Sequence, residues 1–312
     1  FLVIISWLFI RKDIFKNIFS SNFSIVNLSK EFISYCHPLV VYSIVGVFAG
    51  LFDIWLLQKI AGSEQIGFYG LAFSLASMCF LFTSAMTPII MREFSKSYEQ
   101  KDLETMRKLF YRYIPMLYSI AAYFAVFISV QSENVLTIFT DEKFKDAYLV
   151  LVIMAFYPIH QTYGQLSGSI FYAAGQTKLM RNIALLMQPF GMVLTVIFVY
   201  FMGYGATGLA YKMLIGQIIT VNIQLYFNTR FLGLDIKYFL WHQIYSLLFF
   251  TLLAFISSTI VTSLTPLLNF LLSGFLYTVL VTISTYIFPQ IFASTRAEIK
   301  IIFQKVVNVA KK

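Results

Sequence analysis

Charge is scarce in this sequence. Only 12% of its 312 residues are Asp, Glu, Lys or Arg, about half the ~25% of an average soluble domain. Its 23 basic and 14 acidic side chains are too few to cover a water-soluble chain of this length. Cysteine is nearly absent as well. Cys36 and Cys79 border or sit in apolar runs, with neither a disulfide framework nor metal-ligand spacing between them. No Gly-rich Walker lysine motif occurs, so nucleotide hydrolysis is not indicated. No Ser–His–Asp or Cys–His set has supporting local sequence, and no cofactor, metal or catalytic role is expected. What abounds is apolar: 59% of residues are hydrophobic, with 34 Phe and 20 Tyr, and the mean hydropathy is +0.77. Disordered, collagen-like and disulfide-stapled classes are excluded, and the composition is that of an integral membrane protein.

A helix needs about 20 apolar residues to cross a ~30 Å hydrocarbon core. Eight runs qualify: 39–60, 67–90, 112–131, 148–173, 182–203, 206–227, 243–264 and 267–289. They are continuously apolar rather than alternating, which favours helices over barrel strands. The run 1–10 reads as the end of another span, and Phe1 opens it with no Met or basic leader. The expectation is an all-α polytopic bundle of eight full spans plus a truncated one, the C-terminal part of a longer protein.

Orientation follows from where Lys and Arg lie between the spans. The connections 11–31, 91–112, 174–181 and 228–242 and the tail hold 19 basic residues, and the alternate connections hold only Lys59, Lys143 and Lys145. The first set is therefore expected in the cytoplasm, the C-terminus included. The net charge of +9 is a topology signal, which leaves nothing for a nucleic-acid partner to explain. Within 98–113, Leu103, Met106, Phe110 and Tyr113 recur at helical spacing, predicting a short helix lying on the inner face. In the tail, Ile299, Ile302, Phe303 and Val306 line one face in the same way. The outer connections are short, with none large enough for a folded catalytic domain.

Polar groups at membrane depth normally face protein or a water-filled cavity. In 39–60, Ser43, Gly46, Gly50 and Asp53 form one small or acidic face. Asp53 can be a proton or cation site, a partner for a basic residue, or a packing-face group near the outer interface. In 148–173, Pro158, His160, Gln161, Tyr163, Gln165, Ser167 and Ser169 predict a helix that lines water. His160 is a candidate for proton transfer or simple hydrogen bonding, whereas His37 and His242 are expected at the interface. In 206–227, Gly205, Gly208, Lys212, Gly216, Thr220 and Gln224 share one stripe. Its glycines permit close helix approach or leave room for a substrate. Lys212 has three readings: it binds phosphate in a cavity, snorkels outward, or pairs with Asp53. The candidate cavity residues are thus Lys212, Asp53, Gln161, Gln165, His160 and Thr220.

The segment LFDIWLLQKIAGSEQIGFYGLA around Asp53 resembles the polysaccharide-flippase (Wzx-like) branch of the multidrug/oligosaccharidyl-lipid/polysaccharide (MOP) exporter superfamily. In that branch an acidic residue near the outer end of a helix precedes a Gly–x–Tyr–x–x–Ala start to the next. TIFTDEKFKDAYLVL (137–151), FYAAGQTKLMRN (171–182) and GYGATGLAY (203–211) fit in order. Thr140 stands where Gly is common and Ser74 where a basic residue is frequent. The resemblance implies two facing six-helix bundles around a central cavity. It makes 1–31 a truncated helix and linker, 32–230 the second bundle, and 231–312 two additional helices with a basic tail. It implies a bacterial inner-membrane flippase, not an enzyme, moving an undecaprenyl-diphosphate-linked oligosaccharide by alternating access. Its partners would be that substrate, membrane lipid and other polysaccharide-assembly membrane proteins. A cation-coupled drug or metabolite antiporter of the same superfamily is the alternative, and a membrane enzyme of polysaccharide assembly a third reading.

Overall fold

The structure, a computed structural model, describes residues 24–261 and 265–300. The run 1–10 and most of the amphipathic tail lie outside these residues. Every long element among the described residues is helical. In order they are α1 (Ile25–Ala61), α2 (Ser63–Ser77), α3 (Leu81–Glu99), α4 (Leu103–Val130), α5 (Ser132–Phe139), α6 (Tyr148–Met154), α7 (Tyr157–Ala173), α8 (Thr177–Thr195), α9 (Gly205–Leu232), α10 (Ile236–Ile260) and α11 (Pro266–Ile287). Short 3₁₀ turns join α2 to α3 and precede α6, and a π-helical stretch, Val196–Phe201, extends α8.

Six stretches are long and apolar enough to cross a membrane: Val26–Ala61, Ser63–Glu99, Leu103–Val130, Thr177–Phe201, Ile236–Ile260 and Pro266–Ile287. The expected spans at 148–173 and 206–227 are not among them, for two reasons. Pro158, lacking an N–H, opens α7 at its second residue, so 148–173 breaks into α6 and α7. α9 has the length, 28 residues, but its stripe of Lys, Gln, Thr and Asn lowers its hydropathy. Both helices are surrounded by apolar ones, packing on each other and on α3, α4, α6 and α8.

The predicted surface helix at 98–113 is also corrected. Asp102 caps α4, its Oδ1 accepting the Thr105 N–H at 2.9 Å, and the helix then runs unbroken into the span. Met106 and Phe110 are fully buried, so their periodicity marks a core face rather than a lipid-facing one. At the α1–α2 junction Gly62 adopts φ +88 and its N–H bonds to the Gln58 carbonyl. The left-handed geometry there suits glycine.

The main core joins α3, α4, α7, α9, α10 and α11. Tyr118 meets Tyr163 edge-on at 5.3 Å between ring centres, and Tyr277 stacks between Tyr123 and Phe127. The Tyr277 hydroxyl donates to the Tyr123 carbonyl at 3.0 Å, fixing α11 to α4. His242, expected at the interface, is fully buried beside Ser119 and Ser246 and lies 3.0 Å from the Ile291 carbonyl. A second layer pairs α1 closely with α8. Outward faces of α1, α10 and α11 expose Phe48, Leu51, Trp55, Leu248, Phe255 and Phe275, the belt that a bilayer covers.

Candidate functional site

A cavity of about 640 Å³ opens between the α1–α8 pair and the α7–α9 pair, with α3 closing one side. The small-residue spacing of α1 builds the first wall. Gly46, Gly50 and Asp53 of the predicted stripe face inward together with Tyr42, whereas Ser43 is exposed outside the lining. A Cβ on Gly50 or on Gly216 opposite would meet nothing within 4 Å, so these glycines widen the space. Gly205 and Gly208 do not. A Cβ on Gly205 would lie 2.6 Å from the Gln65 side chain, and one on Gly208 would lie 2.9 Å from the Phe198 carbonyl. These two positions serve close packing, so the stripe divides between the two readings of its glycines, with Gly216 leaving room.

Among the described residues, Asp53 and Lys212 are the only charged ones lining the cavity. They form an ion pair, with side chains 8% and 9% exposed, so Lys212 neither snorkels nor stands free. The Thr195 hydroxyl donates to the other carboxylate oxygen at 2.6 Å. Gly191, one turn before Thr195, makes room for the lysine: a Cβ there would lie 3.0 Å from Lys212 Cε. One carboxylate thus ties α1 to both α8 and α9. Removing a charged pair from water is costly unless geometry and extra hydrogen bonds compensate, and Thr195 supplies one of those bonds.

The rest of the lining is neutral and rich in hydrogen-bonding groups. Five glutamines (161, 165, 188, 217, 224) and three tyrosines (42, 157, 172) contribute. Gln217 Nε2 donates to Gln161 Oε1 at 2.6 Å, and the Thr87 hydroxyl donates to Gln165 Oε1 at 3.3 Å. Gln224 Oε1 is buried with no partner among the described residues. A Cβ on Gly164 would lie 3.0 Å from Val221, so that glycine lets α7 and α9 approach closely beneath the amides.

Of the six candidates read from sequence, Lys212, Asp53, Gln161, Gln165 and Thr220 line this cavity. His160 does not. It points to α4, 4% exposed and edge-on to the Tyr118 ring at 5.9 Å, and it belongs to the core. Thr195, Gly191, Gln188 and Gln217 were missed. On α8, 188, 191 and 195 repeat the small and polar spacing of α1, and that periodicity was the available signal.

Residues 38–197, from the body of α1 to the end of α8, match the sequence model of the MatE family. The chain belongs to the MatE family. With the apolar helices described above, it is a multi-pass membrane protein. Its fold is similar to that of a solved protein described as the outward-facing conformation of a multidrug resistance MATE family transporter of the MOP superfamily. The TM-score is 0.57 at 13% identity, covering 90% of this chain and 77% of that one. It is also similar to a MOP superfamily transporter from Pyrococcus furiosus Vc1, with a TM-score of 0.50, 13% identity, and 86% and 75% coverage. That structure is described as having a binding pocket of reverse polarity that suggests a different function. No curated protein matches the MatE chain in sequence.

Proposed function

We propose that this MatE protein moves a lipid-linked oligosaccharide across the bacterial inner membrane, with the sugar head group in the cavity and the lipid chain in the bilayer. The observation that carries this reading is the cavity's composition: five amides and three tyrosines around a formally neutral ion pair. Amide side chains both donate and accept hydrogen bonds, as sugar hydroxyls do, and a few placed polar groups among apolar walls set orientation in such pockets. Because Asp53 already holds Lys212, a diphosphate would reach the lysine only by exchanging with that carboxylate. In this reading 32–230 forms one of two facing bundles, 231–312 adds two helices, and the C-terminus is cytoplasmic.

The second reading is a cation-coupled drug or metabolite antiporter, favoured by the description of the first structural neighbour as a multidrug resistance transporter. A cationic cargo calls for an unpaired carboxylate in the cavity, and Asp53, the lining's one carboxylate, is engaged twice. The polarity described for the Pyrococcus protein supports treating pocket charge as the discriminating feature.

Deletion in the source strain decides between them. The flippase reading expects a lipid-linked repeat unit to accumulate on the inner face while surface polysaccharide falls. The intact gene should restore export, whereas Gln161→Leu with Gln217→Leu should not, at normal membrane abundance. Unchanged polysaccharide with raised sensitivity to cationic compounds would overturn the flippase reading in favour of the antiporter.

A further inference from the structure

We propose that a second cleft binds the phosphate of a membrane-lipid head group. It lies between the start of α1, the α7–α8 turn and the last turn of α9. It is about 920 Å³ and is separate in its lining from the central cavity. The proposal does not rest on the flippase reading.

The cleft sits at the end of the bundle that carries the basic connections, and its lining includes Lys178 and Arg230. Both side chains are exposed, and neither forms an ion pair among the described residues. Basic residues at this end follow from membrane topology alone, so three further observations carry the assignment. α8, 19 residues long, begins here with no side-chain cap. The N–H groups of Thr177 and Lys178 bond to no carbonyl of the turn, although those of Leu179 and Met180 bond to Gln176. Uncapped amides and the positive end of a helix dipole attract a phosphate oxygen. Second, Thr177 lines the cleft while only 2% exposed, and its hydroxyl has no hydrogen-bond partner among the described residues. The hydroxyl belongs to the lining of the cleft, where a phosphate oxygen can accept its hydrogen bond.

The third observation is the company these groups keep. Phe227 and Phe231 form an apolar wall beside them, which suits an acyl chain and serves no purpose for a free anion. Glu31 faces the same cleft, giving the three charged residues a net charge of +1. That charge matches a phosphodiester, which carries one negative charge, and Glu31 can take the amine of an ethanolamine head group. A phosphomonoester with two negative charges fits less well.

Native mass spectrometry of the purified full chain in detergent tests this, using phosphatidylethanolamine, diacylglycerol and inorganic phosphate as probes. Phosphatidylethanolamine should be retained and diacylglycerol lost. Lys178→Gln with Arg230→Gln should weaken retention by about ten-fold or more, since hydrogen bonds to charged groups are worth roughly 1.5–3 kcal/mol. Thr177→Val, which preserves shape, should weaken it several-fold with no change in melting temperature. Equal retention by the double variant or by Thr177→Val, or equal retention of diacylglycerol, would overturn the site. Displacement of the lipid by millimolar inorganic phosphate would overturn the lipid assignment in favour of a free-anion site.

Discussion

Neutralising one half of the Asp53–Lys212 pair should cost far more than neutralising both. The two side chains are less than a tenth exposed, and each stands in the other's field. At the ~4 Å reach of an ion pair, an effective dielectric of about 20 gives about 4 kcal/mol of attraction. That attraction offsets most of the desolvation of the two charges. Asp53→Asn leaves an unbalanced ammonium, and Lys212→Met leaves an unbalanced carboxylate with only Thr195 as partner. Each should destabilise the protein by about 3–5 kcal/mol, while the double variant loses both charges and their desolvation together. Reversible unfolding in detergent, applied to the three variants and the parent, closes the cycle. We expect a coupling of at least about 2 kcal/mol, with the double variant more stable than either single one. Additive losses, within about 0.5 kcal/mol, would refute the pair as a structural tie. They would return Lys212 to the role of a free phosphate-binding cation.

Gly208→Ala should lower membrane abundance rather than substrate selectivity, because the obstructing atom is the Phe198 backbone carbonyl at 2.9 Å, which cannot rotate away. Overpacking of this kind costs about 1–3 kcal/mol, readable as a drop in detergent melting temperature. At the tail, Glu298 accepts from the Thr295 N–H and pairs with Arg112 at 3.0 Å. The Thr295 bond, then Arg112, hold its carboxyl below the ordinary range. A lowered pKa stabilises the folded form above the free carboxylate's value, and that stabilisation is lost as pH falls through the folded value. A spin label at Ala297→Cys should therefore stay immobile from pH 8 to about pH 5 and loosen only below about pH 4. With Glu298→Gln it should be mobile throughout.

Helical class, the positions of most spans and five of the six cavity candidates were legible from sequence, because lipid forces continuous apolarity and makes each polar group conspicuous. The two remaining expected spans, at 148–173 and at α9, fall short in length or hydropathy, so the count of eight is not confirmed. Their polar faces are shielded by neighbouring helices, and hydropathy cannot see neighbours. His160 and His242 failed for a related reason. A histidine at membrane depth is conspicuous, yet rotation about the helix decides whether its ring faces water or packs edge-on against Tyr118. Gly208 and Gly216 lie two turns apart on one stripe and do opposite work, one admitting a backbone carbonyl and the other leaving a void. Only the path of the partner helix separates those uses. The Asp53–Lys212 contact joins residues 159 apart in the chain, and the sequence offered it as one of three readings without means to choose.

Asp53 stands on α1, Thr195 on α8 and Lys212 on α9, so one carboxylate bolts together walls that also pack directly on each other where α8 meets α9. The α1–α8 pair and the α7–α9 pair can part at that end only by breaking the bolt or by handing one of its ends a substitute. If parting unaided costs about 3 kcal/mol, the open arrangement is occupied less than about 1% of the time. A proton on the carboxylate, or an anion on the lysine, removes most of that cost. Three side chains thereby act as a clock as well as a fastening: how often the wall opens is set by what arrives to replace a partner.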